Sequence, residues 1–174
     1  MITTKEKTSD YLSTEELRKL NKHFLKIENY TMALLIEFGF RTLLRYSDLE
    51  RFKWDDILNK DEVSLNERKT NKRRRIKIGG VLKELISNYY EMAGKPSIES
   101  KVFHYTLRHT NRLLQYGANS IGIRKKHIST HSLRKSGSRF IWEDHNKTDD
   151  SLIKLSMVLN HSSTAITRRY LGIT

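Results

Sequence analysis

Residues 130–134 read Thr130-His131-Ser132-Leu133-Arg134, and residues 159–163 read Leu159-Asn160-His161-Ser162-Ser163, followed nine residues after the histidine by Tyr170. The first stretch sets a histidine and an arginine three apart at the start of a helix, which puts both side chains on one face. Upstream, Leu44-Arg45-Tyr46-Ser47-Asp48-Leu49 places Arg45 just ahead of a helix start. Arg68-Lys69-Thr70-Asn71-Lys72-Arg73 falls where a small sheet should turn. Singly, each has a plain reading: a surface arginine, a hydrogen-bonded histidine, a packed tyrosine. Their order and spacing along one chain is what needs explaining.

The surrounding pattern is mainly helical. Ser13 with Glu16 forms a capping box, and Leu17, Leu20, Phe24 and Ile27 follow at helical spacing, predicting a helix to about residue 27. A second helix is predicted from about Tyr30 to Arg41, with Leu34, Leu35 and Phe38 inward. Ser47 with Glu50 repeats the capping pattern and starts a short third helix. The period then changes, and Trp54–Leu58, Val63–Asn66 and Arg73–Ile78 read as three short strands. Helical spacing returns over about 81–93, 105–117, 132–143, 151–159 and 164–170. The single proline, Pro96, marks a loop between two of these helices. Asp149 and Asp150 suit a helix N-terminus, where the dipole favours negative charge. The fold class is therefore mainly α with a small three-stranded antiparallel β-sheet.

Composition narrows the chemistry. A chain of 174 residues is the size of one ordinary domain. It has no cysteine, which removes disulfides, thiol catalysis and Cys-ligated zinc and fits a reducing compartment. The first seven residues lack the apolar core of a secretory leader, and the best apolar run, Met32 to Phe40, contains Glu37. These features read as a soluble, intracellular protein. Lys and Arg total 33 against 20 Asp and Glu, a formal charge of +13. A compact body so charged takes nucleic acid or an anionic membrane as its usual partner. A membrane would call for a basic amphipathic helix set apart from the core, and none stands out. The densest basic stretch, Arg68 to Lys77, holds seven basic residues in ten.

Taken together, the four segments resemble the tyrosine recombinase, or phage integrase, family. The family order is an arginine in a Gly-Leu-Arg-x-Ser-Glu-Leu-like segment, a sheet-turn lysine, His-x-x-Arg, Leu-Gly-His and a tyrosine nine residues on. Here these read Leu44-Arg45-Tyr46-Ser47-Asp48-Leu49, Lys69-Thr70-Asn71-Lys72, His131-Ser132-Leu133-Arg134, Leu159-Asn160-His161 and Tyr170. The resemblance runs from the Tyr11-Leu-Ser-Thr-Glu-Glu opening to Gly172, with a familiar Lys53-Trp54-Asp55-Asp56-Ile57 between. It implies residues 1–174 as a single catalytic domain, with the family's N-terminal core-binding domain absent from this chain.

The resemblance implies a site-specific recombinase or integrase that cuts and rejoins DNA strands through a 3′-phosphotyrosyl intermediate at Tyr170. A phosphodiester repels nucleophiles, and its five-coordinate transition state spreads charge over the non-bridging oxygens. Guanidiniums fit those oxygens with forked hydrogen bonds and stay charged at any physiological pH. Arg45 and Arg134 are the candidates for that clamp. His131 is placed to act as general base, and as acid when the step reverses. Lys69, selected over Lys72 by the alignment of Lys-Thr-Asn-Lys, would protonate the departing 5′-oxygen. His161 would hydrogen-bond a non-bridging oxygen, and Asp48 would buttress the arginines through an ion pair. No metal, nucleotide or redox cofactor is implied. Lys72, Arg73, Arg74, Arg75, Lys135, Arg168 and Arg169 are candidate contacts to DNA, whose phosphates should make affinity steeply salt dependent. The implied partner is double-stranded DNA, bound by four protomers on paired sites, with monomers in its absence. The implied setting is the cytoplasm of a bacterium or the host of a mobile element, at the nucleoid.

Three departures stand out. Leu43 occupies a position commonly glycine, where a turn of positive φ would strain it. Asn160 replaces the glycine of Leu-Gly-His, a mild change because asparagine tolerates left-handed backbone. The interval from Arg134 to His161 is a few residues longer than the family pattern, and Glu143–Asp150 is the place for a longer loop. Other readings are a type IB topoisomerase-like relaxing enzyme, a catalytically silent DNA-binding module, and a metal site on His127 and His131. Against the last, Ile128-Ser129-Thr130 looks like a helix start and no HExxH glutamate is present.

Overall fold

A computed structural model of the chain describes residues 8–173. The first seven residues, on which the leader reading falls, lie outside the described residues. Among the described residues, nine helices and two strands follow in order: α1 Thr14–Lys26, α2 Tyr30–Thr42, α3 Tyr46–Leu49, α4 Trp54–Ile57, β1 Glu62–Asn66, β2 Arg73–Lys77, α5 Gly80–Met92, α6 Leu107–Ser120, α7 Thr130–Asp144, α8 Asp149–Leu159 and α9 Thr164–Leu171.

The capping box at Ser13 and Glu16 forms as read, each side chain holding the other's backbone N–H. α2 is apolar nearly all round and is buried between its neighbours, packing most closely on α7 and α1. Phe24, Phe38 and Phe103 are fully buried in the main core, which α1 and α2 supply with Leu20, Met32, Leu34 and Ile36. A second, smaller cluster gathers Leu43, Leu152, Leu155, Leu159 and Leu171, under α8 and α9.

The sheet has two strands, not three. β1 and β2 pair antiparallel, Glu62 opposite Lys77 and Asn66 opposite Arg73. The expected first strand is the single-turn helix α4, with one isolated bridge between Lys53 and Lys101 ahead of it. Strand alternation would set Trp54 beside Asp56, whereas one helical turn buries Trp54 and Ile57 together. Asp56 accepts from the Lys53 backbone N–H at 2.8 Å and fixes that turn.

Two other local expectations are corrected. α3 begins at Tyr46 with Arg45 at its cap and no side-chain cap bond, so Ser47 and Glu50 make no capping box. Glu50 pairs instead with Arg68 at 3.1 Å. No long loop separates α7 from α8: the helices extend to Asp144 and from Asp149, leaving residues 145–148 between them. Among the described residues no helix is long and apolar enough to cross a membrane.

Candidate active site

Helix ends position five of the six candidate residues, and the β1–β2 turn carries Lys69. Arg45 stands at the cap of α3, just after Leu43 has turned the chain out of α2 at φ 56°. Leu43 keeps the left-handed backbone despite its side chain, rather than taking a different path, and its buried side chain joins the smaller core. Ser129 caps α7 and sets His131 in its first turn, one turn before Arg134. At the far end of α8, the Asn160 N–H bonds the Met157 carbonyl and the His161 N–H bonds the Ser156 carbonyl. With Asn160 at φ 55°, these bonds make a Schellman exit. The chain then starts α9 at the Ser163 cap, and α9 carries Tyr170.

Arg134 is 2 % exposed, and its Nη2 donates to the Leu159 carbonyl at 2.8 Å, satisfying the C-terminus of α8. Its Nη1 is buried with no partner, and so is the Tyr170 hydroxyl. The His161 ring stands edge-on to Tyr170 with centroids 5.2 Å apart. Its Nδ1 meets Thr167 Oγ1 at 2.9 Å, one turn ahead of the tyrosine on α9.

Charge couples these groups to one another. Burial pushes the Tyr170 phenol up to about 12, against the downward pull of Arg134 and Arg45. Burial and then the cations Arg134, Arg45 and Lys69 push His161 down to about 4. His131 is lowered by desolvation and by the same three cations. Arg134 falls to about 10, chiefly from burial. Lys69 is exposed on the turn between β1 and β2, yet close enough to depress both histidines. Arg45, Lys69, His131, Arg134, His161 and Tyr170 therefore lie near enough to feel one another's charge.

Glu67 was not singled out in the sequence, and it organises the arginines. It is fully buried at the end of β1. Its Oε2 accepts from Arg45 Nη1 at 3.0 Å, Thr70 Oγ1 at 3.0 Å and Asn160 Nδ2 at 2.8 Å, and its Oε1 accepts from Arg74 Nη1 at 3.2 Å. Burial alone would raise its carboxyl, but the bonds from Asn160, Thr70 and Arg74 outweigh it and hold the group below the usual range. Asp48 does not buttress the arginines of the site. It accepts from the Arg68 backbone N–H at 2.8 Å and lies 3.8 Å from Arg51.

The candidate DNA contacts divide. Lys72 and Arg73 are exposed at the turn, while Arg75 pairs outward with Glu62 at 2.9 Å. Arg74 turns inward to Glu67 and to the carbonyls of Thr42 and Leu43, away from any outer phosphate. Lys135 donates to the Ser9 carbonyl at 3.2 Å and lies over the Tyr170 ring. Arg168 pairs with Asp149 at 2.7 Å, and Arg169 is exposed on the same helix. His127 precedes α7, so it shares no helix with His131. Among the described residues, no three His, Cys, Asp or Glu stand together as a metal site.

A helical body that gathers a buried and a half-buried arginine, two histidines, a turn lysine and a tyrosine is the arrangement expected of an enzyme that works on phosphodiesters. The match to the Phage integrase family covers residues 10–174, and the chain belongs to that family, the tyrosine recombinases. Its members cut and rejoin DNA without a metal ion. A probable integrase/recombinase of Bacillus subtilis (strain 168), YoeC, is 32% identical over 169 residues, covering 92% of this chain and 87% of that protein. XerA recombinase shares the fold at a TM-score of 0.72 and 18% identity, over 98% of this chain and 61% of its own. The lambda integrase catalytic core does so at 0.65 and 19%, over 88% of this chain and 92% of that one. The chain thus spans about three-fifths of XerA and nearly all of the lambda core.

Proposed function

We propose that this chain cuts and rejoins double-stranded DNA at a specific site, through a 3′-phosphotyrosyl link at Tyr170. The observation that carries the reading is the pair of unpartnered buried polar atoms, Arg134 Nη1 and the Tyr170 hydroxyl, among cations. Each unsatisfied buried group costs stability, about 1–3 kcal/mol, and a backbone phosphate satisfies both at once.

Arg134 and Arg45 clamp the non-bridging oxygens, where charge develops. His131, its pKa lowered by desolvation and by the nearby cations, takes the phenol proton. The Tyr170 oxygen bonds to phosphorus, the bond from phosphorus to the 5′-oxygen breaks, and Lys69 supplies the proton to that oxygen. His161 keeps Nδ1 on Thr167, leaving Nε2 for a phosphate oxygen. A new 5′-hydroxyl then reverses the sequence on the rejoining strand. The lambda integrase structures include a dimer bound to a core site and a tetramer bound to a Holliday junction. By that likeness this chain acts as a tetramer on paired sites of nucleoid DNA and is monomeric without DNA. Lys72, Arg73 and Arg169 are the outward cations best placed to meet the backbone.

The test is a nicked suicide duplex built from sequence flanking the gene, resolved on denaturing gels. A protein–DNA adduct that disappears in Tyr170→Phe is the expected result. An adduct that survives the substitution overturns the assignment of the nucleophile. Salt-sensitive binding without any adduct supports a silent binding module instead.

A further inference from the structure

Asn160 has two jobs, and the backbone explains only one. Its φ of 55° ends α8, a place that glycine fills at no steric cost. A glycine would make the same turn, so the side chain calls for its own account. That side chain crosses to the other half of the site: Nδ2 donates to Glu67 Oε2 at 2.8 Å, 93 residues away in sequence. Glu67 is itself fixed by Arg45 and by Arg74, whose guanidinium also holds the carbonyls of Thr42 and Leu43.

His161 follows Asn160 directly, and α9 with Tyr170 hangs from the same exit. That segment is otherwise fastened through the smaller leucine cluster, the Leu159 carbonyl on Arg134 and the Leu171 carbonyl on Arg139. The Asn160 amide is the polar link between the nucleophile's segment and the Arg45–Glu67 pair.

We propose that Asn160 is a positioning residue, its amide on Glu67 setting the register of Tyr170 and His161 against Arg45. The proposal rests on Tyr170 being the nucleophile. Displacements of about 1 Å in a reacting group cost up to about a hundredfold in rate, so the link bears on the chemical step and leaves DNA binding alone.

The test compares the full chain with Asn160→Gly, which keeps the left-handed turn and removes only the amide. Single-turnover cleavage of the suicide duplex at saturating DNA is expected to fall by about tenfold to a hundredfold, with the DNA dissociation constant and the melting temperature unchanged. Amide hydrogen exchange in the peptide 161–171 is expected to quicken, while exchange in α1 and α2 stays the same. Wild-type cleavage and exchange in the variant overturn the proposal, as does a loss confined to DNA affinity. If the wild-type chain forms no adduct, the nucleophile reading falls, and the exchange comparison still decides whether the amide holds the segment.

Discussion

The backbone of Phe40 on α2 runs against Gly137 on α7 so closely that a Cβ at residue 137 would collide with the Phe40 carbonyl. The same Cβ would stand 2.6 Å from Leu43 Cδ2. This approach packs the helix bearing His131 and Arg134 against the helix that leads into Arg45. Gly137→Ala must push the two helices apart. Overpacking of this kind costs about 1–3 kcal/mol, and more where the obstacle is backbone. The expected outcome is a lower melting temperature, by about 2–4 °C for each kcal/mol, read by thermal unfolding. An unchanged midpoint would show that α7 slides freely.

Leu43 sets strain against burial. Its left-handed backbone costs about 1–2 kcal/mol, which glycine would recover. Its side chain, 2 % exposed among the smaller leucine cluster, is worth more, since truncating a buried leucine to alanine costs about 2–5 kcal/mol. Leu43→Gly is therefore expected to be less stable than the wild type in a urea titration. A stabilised variant would mean that the strain outweighs the packing.

Removing Glu67 leaves Arg45 and Arg74 facing each other with no anion between them. Breaking one partner out of a buried ion pair costs about 3–5 kcal/mol. Glu67→Ala is expected to lose stability on that scale by denaturant unfolding, and to bind DNA with altered salt dependence because Arg45 is set loose. Full stability would show that solvent takes over the role of the carboxylate.

Tyr170→Phe separates stability from activity. The hydroxyl it removes is buried and unbonded, so the variant is expected to melt at the wild-type temperature or above it. A clear drop in melting temperature would show that the hydroxyl has a partner in solution.

Acid should weaken the fold through His161. Its folded value near 4 lies below the ordinary 6.5, so between those limits the unfolded chain binds the extra proton. Stability then rises with pH across that window, and the contribution is lost as pH falls toward 4. Melting temperature against pH should show this slope, and His161→Gln should flatten it. A slope unchanged in the variant would point to other groups.

Long periodic segments announced the helices, and reactive residue types near helix ends and at the sheet turn marked the six candidate site residues. What stayed hidden depended on contacts between distant segments. Glu67 meets Arg45 across 22 residues and Asn160 across 93. Even so, the strands carried a signal. Alternation from Val63 and Leu65 brings Glu67 to the inner face, and Arg74 shares the face of Ile76 on β2. Reading the basic run as one outward patch ignored that period, which is why Arg74 was grouped with the DNA contacts. Trp54 was misread for the opposite reason: apolar residues three apart satisfy one helical turn, and the segment was too short for its period to declare itself.

The two hydrophobic clusters divide the molecule unequally. Most of the enzyme is anchored in the larger one, while Tyr170 packs on a cluster of five buried leucines beneath α8 and α9. Cooperative units open at a free energy set by their own buried surface, and small units open long before the whole. The residue that would hold the DNA covalently is thus mounted on the smaller of the two clusters. A strand joined to Tyr170 would move with that part only once the Leu159 carbonyl leaves Arg134 and the Asn160 amide leaves Glu67.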